Sequence, residues 1–174
     1  LIALWSGMRQ EEICQLRHCD IVEREGIHCF AVTEEAGTVK SASAERLVPI
    51  HPHLIHLGFL DDVWAPEKVL TKERMWPNLR KSRLCRYSNA FCKWFSRYKT
   101  KKGFKDKRYC FHSIRHTFIN EMKQREVPEP VIRQLVGHRE ASITLGRYGK
   151  DYELEKLNRY MKIVDFDLIL DLNT

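Results

Sequence analysis

Between residues 20 and 50 the apolar residues of this chain leave helical spacing and fall into three short runs, "DIVER", "IHCFAVT" and "RLVPI", separated by Gly26 and by the turn-like "EEAG". Short β-type runs divided by turn residues read as an antiparallel meander, with Lys40 on or beside its last connection. The texture on either side is helical. Leu1 to Leu16 reads as helix broken near Ser6-Gly7, with Ile13 and Leu16 on an apolar face after the break. Phe91, Trp94, Phe95 and Tyr98 recur at helical spacing and are expected in the core, and Phe118, Ile119 and Met122 give a further helix its buried face. Pro130 suits the first turn of a short helix packed through Val131, Ile132 and Leu135, and Gly137 suits its stop, which delivers His138 at a helix end. A last amphipathic segment carries Leu154, Leu157, Tyr160, Met161 and Val164. Helices, a small sheet, then helices again predict an α+β fold, mostly helical, built around a small three-stranded antiparallel sheet.

A length of 174 residues fits one domain, residues 1–174, with a hydrophobic core of its own. The chain opens inside an apolar helix without an initiator Met, and so reads as a fragment whose N-terminal partner domain is absent. No apolar run reaches the roughly 18 residues of a membrane span, and "LIALWSGMRQEEI" has neither a basic leader nor a small-residue cleavage site. A cytoplasmic protein with no membrane partner is expected. Six cysteines, Cys14, Cys19, Cys29, Cys85, Cys92 and Cys110, form no CxxC pair, so reduced thiols are expected in place of a zinc cage or a disulfide framework. The net charge is +7, and "RYKTKKGFKDKRY" from Arg97 to Tyr109 holds seven Lys/Arg against one Asp. With "LRKSRLCRY" just upstream, this excess points to a polyanionic partner.

Two histidine groups raise the question of a metal. His51, His53 and His56 have no thiol or carboxylate among them and stand at a strand-to-helix junction marked by Pro52 and Gly58. His112 and His116 have the i, i+4 spacing of a helical zinc pair, but the Glu of HExxH is missing and Arg115 sets a positive charge beside the proposed ion. No metal or other cofactor is expected. His112 and Arg115, three apart at the start of "FHSIRHTFINEM", project from one helix face and can converge on a single anion, whereas His116 is expected to turn partly towards the core.

In chain order stand Arg9 with Glu12, Lys40 ahead of "RLVP", His112-x-x-Arg115, Gly137-His138 and Tyr148. On this ordered set the chain resembles the catalytic domain of the tyrosine recombinases, the phage integrases in particular. "SGMRQEEICQLRHCDI" is similar to the family's first arginine motif, "VKSASAERLVPI" to its β-hairpin lysine motif, "FHSIRHTF" to its HxxR box and "LVGHREASITLGRYG" to its Gly-His to tyrosine segment. The resemblance covers nearly the whole chain. The hairpin motif departs most, because Lys40 falls in a longer and less regular turn.

The resemblance implies the tyrosine recombinase catalytic-domain fold and a site-specific DNA recombinase that cleaves and rejoins DNA through a covalent 3′-phosphotyrosine. Arg9, Lys40, His112, Arg115, His138 and Tyr148 would be catalytic and Glu12 would orient their side chains. Cleaving a phosphodiester without a metal requires fixed cations where charge builds on the non-bridging oxygens, which suits the forked, permanently charged guanidinium groups of Arg9 and Arg115. Removing one comparable donor costs roughly 2.7–4 kcal/mol of transition-state stabilisation. A phenol titrating near pH 10 needs a positive potential or a base to attack at neutral pH, which Arg115 and His112 would supply to Tyr148. Lys40 would protonate the departing 5′ oxygen, and His138 would donate to a phosphate oxygen. Arg80, Lys81, Arg83, Arg86, Lys99, Lys101, Lys102, Lys105, Lys107 and Arg108 are expected on the phosphate backbone, holding DNA without choosing its sequence. Double-stranded attachment-site DNA, a homotetramer on it, and DNA-bending or excision accessory proteins are the implied partners. The rival readings are a type IB topoisomerase, a catalytically silent DNA-binding regulator of the same fold and, third, a metal-dependent nuclease.

Overall fold

The computed structural model describes residues 1–37, 45–63, 71–83, 86–138 and 151–167. Two short helices open the chain, α1 (Ile2–Ser6) and α2 (Gln10–Cys14). The break between them is Gly7, in the left-handed region at φ 62°. A Cβ on Gly7 would lie 2.3 Å from the Phe118 ring, so the glycine serves both the turn and the close approach of a later helix.

The meander expected between residues 20 and 50 is present as β1 (Ile21–Arg24), β2 (Ile27–Val32) and β3 (Arg46–Pro49), antiparallel in the order β1-β2-β3. β1 and β2 are joined by Glu25 and Gly26, both with positive φ (54° and 73°), the combination a tight hairpin turn demands. The register sets Phe30 opposite Val48 and Val32 opposite Arg46. Phe30 and Val48 are fully buried.

α3 (Pro52–His56) and α4 (Phe59–Val63) follow the sheet. Among the described residues the following helices are two of 14 residues, α5 (Ser88–Lys101) and α6 (Phe111–Gln124), and then the shorter α7 (Glu129–Val136) and α8 (Leu154–Met161). The Glu11 carboxylate of α2 accepts from the backbone N–H groups of Tyr87 (2.8 Å) and Ser88 (2.9 Å), which ties down the free end of α5. One core joins Trp5, Met8 and Leu16 to Ile21, Phe30 and Val48 of the sheet, and to Phe118, Met122, Val131, Leu135 and Met161 of the later helices. Leu157, Met161 and Val164 are buried in this same core, so the last amphipathic helix packs on its own chain's sheet.

The burial expected for the aromatic face of α5 is not found. No residue of α5 is buried, and Trp94 and Tyr98 are about half exposed. Phe91 and Phe95 meet Phe111 edge-on at 5.1 and 5.3 Å, whereas Trp94 reaches this cluster through a tilted contact with Phe91 (5.3 Å) and stacks on Tyr98 (5.2 Å) at the exposed end of the face. Helical spacing shows that one face is apolar. It does not show that this chain supplies a cover for all of it.

Candidate active site

The site is built on the C-terminal turn of α7. Gly137 adopts the left-handed conformation (φ 66°), its N–H reaches the carbonyl of Gln134 (3.2 Å), and the N–H of His138 reaches that of Arg133 (2.9 Å). This is the paired closure of a glycine-terminated helix. It leaves the carbonyls of Leu135, Val136 and Gly137 without helical partners. A different arginine takes each one. Arg46 Nε donates to Leu135 (2.8 Å), Arg115 Nη2 to Val136 (2.6 Å) and Arg9 Nη2 to Gly137 (2.7 Å). Three guanidinium groups, from the start of β3, the second turn of α6 and the entry to α2, are thus gathered at the negative end of one helix.

Arg115 explains the crowding at the start of α6. It shares the buried stripe of Phe118 and Met122, is 2 % exposed, and donates its other terminal nitrogen to the Gly7 carbonyl (2.6 Å). Burial and then the nearby Arg9 pull its guanidinium down to about 9, which still leaves it protonated at neutral pH. His112, one turn earlier on the same face, emerges into solvent. His116 is also exposed, contrary to its expected turn towards the core, and its ring meets that of His112 edge-on at 4.7 Å.

One carboxylate balances the three arginines. Glu12 is 3 % exposed and accepts from the Arg9 backbone N–H (2.7 Å) and Nη1 (2.8 Å), and from Arg46 Nη1 (3.1 Å) and Nη2 (2.9 Å). Its reach back to the Arg9 N–H also closes the first turn of α2. Burial opposes its ionisation, but the hydrogen bonds and charge of Arg46, followed by those of Arg9, outweigh that and hold the carboxyl below its usual range. Among the described residues, three cations against one anion leave a positive excess.

His138, partly exposed at the end of α7, registers that excess. Burial of its ring first, and then Arg115, Arg9, Arg133 and Arg46, hold its imidazole down to about 4. His112 is lowered by burial, then by His116, Arg115 and Arg9. Both rings are neutral at physiological pH, able to donate one N–H or to accept a proton.

Of the expected site residues, Arg9, Glu12, Arg115 and His138 converge on the α7 terminus, with His112 a turn from Arg115 along α6. Lys40 and Tyr148 lie outside the described residues. Sequence reasoning assigned no role to Arg46, although a signal was present. Arg46 shares a strand face with the fully buried Val48, and an arginine on the core face of a strand requires a buried acid. Among the described residues no group of three His, Cys, Asp or Glu side chains is placed to hold a metal ion.

The expected phosphate-backbone residues lie along α5 and its flanking loops. Arg80, Lys81, Arg83, Arg86, Lys101, Lys102, Lys105, Lys107 and Arg108 are exposed and Lys99 is half-buried. Some are engaged within the chain. Arg108 pairs with Asp106 (2.6 Å), and Lys99 donates to the Asp106 carbonyl (2.9 Å). Among the described residues no helix is long and apolar enough to cross a membrane.

Residues 1–155 match the model of the phage integrase family, and the chain belongs to that family, a family of tyrosine recombinases that work on DNA. Comparison with curated protein sequences gives no match. Among solved structures the fold is similar to that of the XerH site-specific recombinase bound to difH substrate in a pre-cleavage complex, with a TM-score of 0.52 and 20% sequence identity. That likeness covers 89% of this chain and 42% of the XerH chain, so the chain spans less than half the length of the protein it matches.

Proposed function

We propose that residues 1–174 are the catalytic domain of a site-specific DNA recombinase, an integrase of a phage or related mobile element acting in the bacterial cytoplasm. It cleaves and rejoins DNA through a covalent 3′ link to Tyr148 and needs no metal for the step. The observation that carries this reading is the set of three guanidinium groups capping consecutive carbonyls of one helix end, balanced by a single buried carboxylate and flanked by two neutral imidazoles. A positive excess held by fixed donors is what a phosphorane-like transition state requires when no metal supplies the charge.

The roles follow from position. Arg9 and Arg115 receive the non-bridging oxygens. Neutral His112 is suited to take the phenolic proton of Tyr148, and His138 to donate its N–H to a phosphate oxygen. Lys40 protonates the departing 5′ oxygen. Glu12 holds Arg9 in place. The exposed cations along α5 carry flanking phosphates, and a homotetramer assembles on paired DNA sites.

The test is a denaturing gel of the protein at its natural length, mixed in chelator with labelled, nicked DNA from the ends of its element, beside a Tyr148→Phe control. A protease-sensitive shifted band that needs Tyr148 is expected. Binding to the same DNA without any adduct would leave a catalytically silent DNA-binding regulator as the better reading. Exchange of strands between two duplexes, as opposed to relaxation of one, separates recombinase from topoisomerase.

A further inference from the structure

We propose that Arg46 is a positioning residue of this site, a guanidinium that locks the end of α7 to Glu12 so that Arg9, Arg115 and His138 address one phosphate. The proposal rests on reading the site as a phosphate-binding centre. Arg46 touches three parts of the chain at once. It comes from the first residue of β3, its Nε holds the Leu135 carbonyl of α7 (2.8 Å), and its two terminal nitrogens grip both oxygens of Glu12 at the start of α2 (3.1 and 2.9 Å). The partners lie 89 and 34 residues away in the sequence, and the Arg46 side chain is only 6 % exposed. A buried, bidentate, three-way contact of this kind fixes relative position as well as charge.

Two features give the contact a consequence for the neighbouring groups. The first is Gly137. A Cβ there would stand 2.6 Å from Arg46 Nη1, so the guanidinium lies directly against the residue whose carbonyl Arg9 holds and whose successor is His138. The second is the division of Glu12. Its oxygens serve Arg46 and Arg9 together. Without Arg46, a carboxylate that is 3 % exposed would keep Arg9 as its one guanidinium partner among the described residues, drawing Arg9 towards itself and away from an incoming phosphate. Arg46 therefore releases Arg9 for the anion while it holds the α7 terminus to which Arg9 and Arg115 are bound.

Lysine at position 46 keeps the charge but cannot span a carbonyl and both carboxylate oxygens. The experiment compares Arg46→Lys and Arg46→Met with the unaltered protein at its natural length. Folding is checked by circular dichroism. Adduct formation on the nicked duplex, duplex affinity and the NMR titration of the His138 ring are then measured.

Both variants are expected to form adduct roughly 10- to 100-fold more slowly, the range that outer-shell partners carry at other sites, while binding duplex DNA within about threefold of the parent. The His138 ring is expected to shift and to titrate at higher pH in Arg46→Met and to stay perturbed in Arg46→Lys. A folded variant with the parental adduct rate would overturn the proposal, as would a rate loss matched by the fraction of unfolded protein. If Arg46→Met does not fold, Arg46→Lys decides by the same measures. If the parent itself forms no adduct, the recombinase reading has failed separately. The His138 ring then decides, and an unchanged ring in a folded Arg46→Met variant overturns the positioning role.

Discussion

Two imidazoles held neutral beside three guanidinium groups are the most direct residue-scale measure of what this site is prepared to receive. Burial disfavours the charged form of His138, and Arg115, Arg9, Arg133 and Arg46 then add repulsion, which takes the ring down to about 4. An oxyanion among the same groups has the opposite sign and would raise it. In DNA-free protein the His138 ring is therefore expected to stay unprotonated until about pH 4, and to titrate at clearly higher pH once DNA occupies the site. The ring signal followed by NMR across pH 3–8 checks this, and titration near pH 6.5 in the free protein would remove the positive excess on which the proposed mechanism depends. The sign for stability follows. The unfolded chain takes the proton first, so the contribution of a neutral His138 is complete above pH 6.5 and is lost as pH falls from there towards about 4.

At the scale of elements, the backbone conformation of single glycines decides whether the arginines can meet. Gly7 combines a positive φ of 62° with a position 2.3 Å, for any added Cβ, from the Phe118 ring, and its carbonyl holds Arg115. Gly7→Ala must adopt a left-handed conformation, at about 1–2 kcal/mol, and push α6 outward, at about 1–3 kcal/mol more. A loss of about 2–5 kcal/mol in urea denaturation is expected, with adduct formation impaired even where the variant is folded, because α6 carries both His112 and Arg115. A variant as stable and active as the parent would show that α6 does not need this approach. Elements of this kind were legible in the sequence where punctuation marked them: the break at Ser6-Gly7, the turn at Gly26, the start near Pro130 and the stop at Gly137. What escaped was tertiary. The apolar face of α5 read as core because periodicity carries no information on what lies opposite, and Arg46 went without a role because its carboxylate partner lies 34 residues earlier, in a different element.

On the whole molecule the net charge of +7 is unevenly spent, and this separates cations that are free to hold DNA from those already engaged. Duplex affinity that comes from replacing condensed counterions falls linearly with log salt, with a slope of roughly −0.9 for each phosphate neutralised, so 6–10 such contacts lose about 10³–10⁵ in affinity between 50 and 200 mM salt. Lys101, Lys105 and Lys107 are exposed in and after the last turn of α5, whereas Arg108 is bound to Asp106 through two of its nitrogens (2.9 and 2.6 Å). Each of Lys101→Ala, Lys105→Ala and Lys107→Ala is therefore expected to reduce the magnitude of the salt slope by about 1 and to weaken binding equally on specific and unrelated duplexes. Arg108→Ala is expected to change it less, since the free protein already uses that charge internally. Fluorescence anisotropy of a labelled duplex over a salt series measures both. Slopes equal to the parent's in all four variants would place the duplex away from the α5 end and move the electrostatic footprint to Arg80, Lys81, Arg83 and Arg86, which precede the helix. A loss confined to the specific sequence would instead mean that these lysines contact base edges, because a phosphate contact carries no sequence preference of its own.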